Sequence, residues 1–392
     1  MRKIPQHFQV LYSELAQRAI DGDFASEFDP AGRFISSEVK GRRYWYFDRS
    51  AGGGKKQRTY VGPCDDVEIT RRVEAFRELK DDIRERRRMV SVLKREAGLP
   101  GPDSLSGNLV EALARAGFFR MRGVLVGTMA FGAYPALLGV RLPGASMITS
   151  DIDFAQFHSI SVAVEDTMPP MLDVLRGVDD TFRAVPHMSG NARSSQFVSR
   201  SKFKVEFLTP NRGADSFGDE PAPMPALGGA SAQPLRFLDY LIRDPQRAVL
   251  LHRHGVAIKI PAPERYAVHK LIVSERRRKD QDGTAKSRKD LTQSTLIMEA
   301  LILQRRQDDL AEAFVEAINR GPAWEGAIRA AFHRFPEPER ERFSDEIIGG
   351  IARLRMDPAA YAETLGAGGP RQIESRAPIG DNGGLEDGPS GF

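Results

Sequence analysis

The sequence predicts an α+β fold: a mixed sheet with flanking helices, preceded by a small β-meander plus helix and followed by a helical domain. Three observations carry this. Aromatic and β-branched runs broken by glycines crowd residues 33–61, the pattern of short antiparallel strands. Residues 108–208 alternate strand-like and helix-like segments, as a sheet covered by helices does. From Pro263 onward the apolar residues recur at helical spacing.

Taken in order, an amphipathic helix is expected over 7–20, with Phe8, Leu11, Leu15 and Ile20 on its apolar face. Strands follow over 33–39, 43–47 and 57–61, turning at Gly41, at Ser50-Ala51-Gly52-Gly53-Gly54 and at Gly62-Pro63. Asp65 or Asp66 caps a helix reaching about Lys94. Its late basic run, Arg84, Arg86, Arg87 and Arg88, suits the helix dipole. Gly98-Leu99-Pro100-Gly101-Pro102 breaks the chain. A helix over 108–116 leads to the apolar strand Gly123-Val124-Leu125-Val126, and Gly127-Thr128 opens another helix. Strands are expected over 148–154, 160–164, 197–198 and 203–208, and a helix over 170–175. Residues 211–234, rich in Gly, Pro, Ala and Ser, read as a loop or lid, and 248–251 with 256–260 as a hairpin turning at His254-Gly255. Helices are expected over 264–274, 290–304, 310–320, 324–332 and 338–354. The implied domains are 1–98, 99–262 and 263–360, with 361–392 a disordered tail poor in large apolar residues.

Composition narrows the partners. The chain has 392 residues, 41% hydrophobic and 28% charged, with a mean hydropathy of −0.38. No stretch approaches the roughly 20 apolar residues of a membrane helix, so no membrane partner is expected. The first ten residues are charged and polar where a secretory signal needs an apolar core. The one cysteine, Cys64, excludes an internal disulfide and a cysteine-based zinc site, and a cytoplasmic location is expected. The net charge is only +4, yet residues 1–100 hold 21 Lys+Arg against 16 Asp+Glu, which favours an anionic partner. In the meander, Arg42, Arg43, Lys55, Lys56 and Arg58 surround Tyr44, Trp45, Tyr46 and Tyr60. Interleaved cations and aromatics suit nucleic acid, with the basic residues at its surface and Trp45 in the core.

Chemistry concentrates in three places. A buried strand ending in Gly127-Thr128 and opening a helix brings backbone N–H groups and a hydroxyl to a phosphate. In Asp151-Ile152-Asp153 the acids share one strand face. Two adjacent carboxylates repel, and a divalent cation removes that repulsion while keeping positions for substrate phosphates. Glu206, between Val205 and Phe207 on a later strand, completes the set as a second-metal ligand and base. His252 and His254 read as a polar hairpin, and His269 as a packing residue or supporting donor. Arg276, Arg277, Arg278 and Lys279 read as a solvated charge run.

Gly127-Thr128, then Asp151-Ile152-Asp153, then Glu206 resemble the nucleotidyltransferase superfamily of the DNA polymerase β type. The family's Gly-Ser is Gly-Thr here, and the long spacing to the acids follows from the insertion Leu142-Pro143-Gly144-Ala145. The stretch from the meander to about residue 335 is similar to an uncharacterised bacterial group of nucleotidyltransferases. Tyr44-Trp45-Tyr46, Tyr60-Val61-Gly62-Pro63, Val126-Gly127-Thr128 and Val268-His269-Lys270-Leu271-Ile272 carry that likeness. The segment from Pro261 through Lys270 to Lys289-Asp290 resembles AbiE-type nucleotidyltransferase toxins. By that resemblance Lys270 neutralises β/γ-phosphate charge and Asp290, in a Lys-Asp pair opening the next helix, supports the site. Physically, Lys270 on an apolar helix face either meets an anion or snorkels to water. The resemblance implies transfer of a nucleoside monophosphate from an NTP to an acceptor hydroxyl with release of pyrophosphate. It implies two Mg²⁺ ions, or Mn²⁺ in their place. RNA, such as a tRNA 3′ end, is the expected acceptor, and an antitoxin protein is a partner on the toxin reading. The alternatives are nucleotide transfer to a protein or small molecule, and a non-catalytic nucleic-acid-binding protein on this fold.

Overall fold

The computed structural model describes residues 1–21, 32–39, 41–50, 56–144, 149–163, 167–186, 194–211, 220–277 and 283–366. The chain opens with a short strand, β1 (Arg2–Lys3), and helix α1 (Gln6–Asp21). Phe8, Tyr12, Leu15 and Ala19 are buried on α1, one stripe at helical period. Next come β2 (Arg33–Val39), β3 (Arg42–Ser50) and β4 (Lys56–Pro63), an antiparallel meander. Phe34 and Phe47 face each other across it and pack edge-on against Phe76 of helix α2 (Val67–Arg95), ring centroids 5.0 and 5.8 Å away. Trp45 lies on that same face and donates from Nε1 to Thr70 Oγ1 at 3.1 Å. Asp66 caps α2, its Oδ1 accepting from Ile69 N at 3.1 Å. The far half of α2 belongs to a second core, where Val90 and Leu93, with Ala97 just past the helix, meet α1.

The central sheet is assembled from short strands. Helix α3 (Ser104–Arg115) is capped by Asp103, and β5 (Val124–Leu125) leads into helix α4 (Gly127–Leu137). Strand β6 (Val140–Arg141) pairs with β1. After β7 (Asp151–Ala155) come helices α5 (His158–Ala163) and α6 (Met171–Arg176), then strands β8 (Arg183–Val185), β9 (Gln196–Val198) and β10 (Lys204–Pro210). Strands β11 (Ala222–Pro223) and β12 (Ser231–Leu235) flank a 3-10 turn at Pro225–Leu227. The sheet order is β11-β12-β10-β7-β5, with β9 also on β10 and β8 on β9. Strand β10 runs parallel to both β7 and β12, and the other pairs are antiparallel. One face is apolar: Ile152, Phe154, Phe197, Val205, Phe207 and Ala232 are buried in the main core. The other face carries Asp153, Glu206, Gln196 and Gln233, all half-buried. Alternation along each strand produces this division, and it leaves an open polar floor.

Helix α7 (Leu238–Ile242) and the hairpin β13 (Gln246–Leu250) and β14 (Val256–Ile260) lead to the helices α8 (Pro263–Arg277), α9 (Gly283–Leu303), α10 (Gln307–Ile318), α11 (Pro322–Phe332), α12 (Glu337–Arg353) and α13 (Ala359–Ala362). Leu365 is fully buried in the main core, with Ser344 Oγ donating to its carbonyl. The architecture is the expected α+β one, with three local corrections. The segment expected as a strand over 160–164 is helix α5 as far as Ala163. Tertiary contact outweighs its β-branched alternation: the Ser161 hydroxyl accepts from Ala226 N at 3.1 Å. The expected loop over 211–234 contains β12, which extends the sheet beside β10; residues 212–219 lie outside the described residues. Helix α9 begins at Gly283, so Asp290 sits inside the helix and does not open it. Ser287 makes the difference, because its buried hydroxyl donates to Ser274 O at 2.7 Å and ties the extra turns to α8.

Candidate active site

The turn after β5 is fixed by two constraints. Val126 N donates to Asp153 O at 3.0 Å, carrying the chain alongside β7. Gly127 then adopts φ +67°, and a Cβ there would lie 2.5 Å from Asp153 Oδ2. Both the left-handed backbone and the carboxylate demand glycine. The carbonyl of Gly127 accepts from Tyr266 OH at 3.2 Å, which ties the turn to α8. Helix α4 has no side-chain cap at its start. Its first N–H groups, beside the half-buried Thr128 hydroxyl, therefore carry the positive end of the dipole without a capping side chain.

The acids form ordered rows across the bare sheet face. Asp153 on β7 is the cross-strand neighbour of Glu206 on β10, which is opposite Gln196 on β9, which is opposite Val185 on β8. The next row runs Asp151, Lys204, Val198, Arg183. Burial raises the Asp153 carboxyl to about 7, and the negative charges of Asp151 and Glu206 push the same way; Lys270 and Arg277 oppose them. Crowded, buried carboxylates with raised pKa values recur at functional sites, which makes Asp153 a candidate. The donor chemistry fits a hard divalent cation, which would relieve this repulsion. As the side chains stand, no group of three or more donors is gathered tightly enough to hold an ion among the described residues. Thr149 Oγ1 donates to Asp151 Oδ1 at 2.5 Å, and Gln196 Nε2 donates to Glu206 Oε1, so two of the three carboxylates are tied to neighbours.

Cations arrive from the helical side. Lys270 on α8 and Asp290 on α9 form a 2.6 Å pair, with Asp290 only 1% exposed, and Arg277 holds the other carboxylate oxygen at 2.6 Å. Burial lowers the Lys270 pKa, and Asp290 acts to raise it. Of the two sequence expectations for Lys270, the anion partner is what the structure supplies, and it is Asp290. Beside this pair, the exposed Lys289 donates to Thr128 Oγ1 at 3.0 Å. In the sequence Lys289 entered only as the lysine of the Lys-Asp pair, with no role of its own, and Tyr266 was given none. Their partners lie more than a hundred residues away, and a lysine within a charged helix surface carries no local signal. His269 is pushed down to about 3 by burial and stays neutral.

The basic residues of the meander do not share one surface. Arg42 and Arg58 lie on the face away from α2, with Tyr44 and Tyr46, and the Arg58 guanidinium stands 5.7 Å from the Tyr46 ring centroid. Arg58 is committed to Asp48 through two hydrogen bonds of 2.7 and 3.0 Å. Arg43 points to the α2 side and donates to Ser36 Oγ. Arg42 and Arg43 are exposed. Lys55 lies outside the described residues, as does the side chain of Lys56.

A family model described as a nucleotidyltransferase matches residues 104–319, more than half of the chain. The match begins at α3 and ends just past α10, so the turn, the three acids and the cations of α8 and α9 all fall inside it. No curated protein matches the chain, and no solved structure does.

Proposed function

The chain belongs to the nucleotidyltransferase family, and from that premise we propose that it transfers a nucleoside monophosphate from an NTP to a hydroxyl of RNA. The single observation that carries this reading is Asp153: a carboxyl raised to about 7 by burial, with the charges of Asp151 and Glu206 pushing the same way, in contact range of the Gly127 turn. In this reading the triphosphate lies at the start of α4, on the N–H groups of the turn and the Thr128 hydroxyl. Lys289, already on Thr128, meets its β/γ oxygens. Lys270 contributes its charge from behind Asp290. Asp151, Asp153 and Glu206 would hold Mg²⁺, or Mn²⁺ in its place, which would supply the charge neutralisation that phosphoryl transfer requires. Glu206 accepts the acceptor hydroxyl proton. The acceptor oxygen bonds to the α-phosphorus, the bond to the bridging oxygen breaks, and pyrophosphate leaves with that electron pair.

The test is incubation with each of the four α-labelled NTPs, Mg²⁺ and total RNA, followed by gel separation. Labelled RNA is the expected product, and Asp153→Ala should abolish it while the variant still unfolds in one cooperative transition. Full transfer by that variant rejects the assignment of the site. Label appearing on protein and never on RNA rejects the acceptor. The toxin role implied by the likeness of the α8–α9 segment meets the same variant: growth arrest that persists with Asp153→Ala would reject it.

A further inference from the structure

The open sheet face continues past Glu206, and there it forms a cavity of about 310 Å³ lined by Val185, Pro186, Gln196, Glu206, Leu208 and Gln233 among others. We infer that this cavity seats the terminal nucleoside of the acceptor strand, with Arg183 and Lys204 beside the phosphodiester that precedes it. The inference rests on the reading above and adds residues to it on the acceptor side.

The order of parts across the sheet supports it. From one edge inward come the Gly127 turn after β5, Asp151 and Asp153 on β7, Glu206 on β10, and then the cavity on β8, β9 and β12. Neighbouring strands are about 4.8 Å apart, so a group in the cavity lies one strand from Glu206 and two from Asp153. That is the reach of a ribose hydroxyl from its own base. The donor side of the site is occupied by the turn and by α8 and α9, which leaves the Glu206 side for the acceptor.

The lining matches a nucleobase. Val185, Pro186 and Leu208 offer apolar surface, whereas Gln196 and Gln233 each carry an amide with both donor and acceptor capacity. A planar ring with apolar faces and a hydrogen-bonding edge uses both kinds of wall. A volume near the lower end of the roughly 300–1,000 Å³ range of ligand pockets admits one such group and excludes a duplex. Gln196 also donates to Glu206, so the side chain that meets the base orients the carboxylate that meets the hydroxyl.

The charge pattern selects nucleic acid over a protein acceptor. Arg183 and Lys204 occupy the row next to the cavity on the same open face, both exposed. Neither has an ion-pair partner among the described residues. Exposed cations one row from a base-sized cavity are placed for the backbone phosphate of a single strand.

The experiment uses the full chain and a short single-stranded RNA carrying a dye at its 5′ end, followed by anisotropy without NTP. The double variant Arg183→Glu/Lys204→Glu should weaken binding at least about tenfold and flatten its salt dependence. Gln233→Leu should raise the RNA KM about tenfold while the NTP KM stays put. Moving the dye from the 5′ to the 3′ end should abolish binding, since it fills the terminal seat. Unchanged RNA affinity in the double variant, or tolerance of the 3′ dye, overturns the inference even if transfer to RNA is intact. Conversely, loss of RNA binding in the variants combined with no nucleotide transfer by wild type supports the seat and sinks the transferase reading. Melting curves of all variants should match wild type, because the changed residues lie on the open face.

Discussion

Asp153 holds its proton more tightly than an ordinary aspartate because burial and two neighbouring carboxylates disfavour its charge. The sign of the stability effect follows. An acid whose folded pKa is raised to about 7 above an unfolded value of 3.8 costs nothing below pH ~4. Its penalty grows as pH rises and is complete above about pH 7, worth at most ~4 kcal/mol before contact with water reduces it. Asp153→Asn removes the penalty. With a chelator present, the variant should therefore melt several degrees above wild type at about pH 8 and level with it at about pH 3, while transferring no nucleotide. A lower melting temperature at pH 8 would mean that the carboxylate is held by cations and is not crowded by acids. The acids and Gly127 were readable from the sequence because each depends on spacing of two residues or on one turn. Lys289 was not, since its bond to Thr128 spans 161 positions, and no periodicity encodes such a meeting.

The α8–α9 pair shows how two helices position a site through polar rungs. Ser274 with Ser287, Lys270 and Arg277 with Asp290, Tyr266 with Gln293, and Ala267 with Ser294 are joined by bonds of 2.6 to 3.0 Å. A slip of one helical turn would break all four, so the rungs fix register. Removing Asp290 strands the buried Lys270 charge, whereas removing Lys270 leaves Asp290 with Arg277. Asp290→Asn should accordingly cost about 3–5 kcal/mol, and Lys270→Met clearly less. Lys289→Ala should leave the melting temperature unchanged and raise the NTP KM about tenfold. Equal destabilisation by Asp290→Asn and Lys270→Met would show that Arg277 holds nothing. A normal NTP KM in Lys289→Ala would remove that residue from the phosphate site. Helical periodicity announced both helices, yet the extra turns of α9 before Asp290 were missed because they bury glycine and serine. Strand β12 was missed for a related reason: Ser-Ala-Gln-Pro-Leu has no apolar alternation, and pairing with β10 on one side and β11 on the other makes it a strand.

Across the whole molecule, the N-terminal hundred residues divide their loyalties. The meander packs on the near half of α2 through Phe34, Phe47 and Trp45. Helix α1 and the far half of α2 instead share a core with Ala136 of α4 and with Val249 and Leu251 beside the β13–β14 turn. Val249 N donates to the Tyr12 hydroxyl at 3.0 Å, and Arg18 locks α1 to Asp82 and Glu85 at 2.7 and 2.6 Å. A chain starting at residue 99 would expose Val249 and Leu251 and leave a strand N–H to water. Uncovering two such side chains costs about 3–6 kcal/mol, and for a chain of this size each kcal/mol lowers Tm by roughly 2–4 °C. The shortened chain should thus melt about ten degrees lower or aggregate, although the family match begins only at residue 104. The meander's own arginines make the opposite case. Arg42→Ala with Arg43→Ala should leave Tm unchanged and reduce the salt slope of RNA binding by about 0.7 per lost phosphate contact. Arg58→Ala should leave that slope alone, since Arg58 is held on the buried Asp48 by two hydrogen bonds, whereas Arg42 meets only the exposed Asp65 at 3.3 Å. A shortened chain that melts with the full one would show that α1 and α2 merely rest on the catalytic unit.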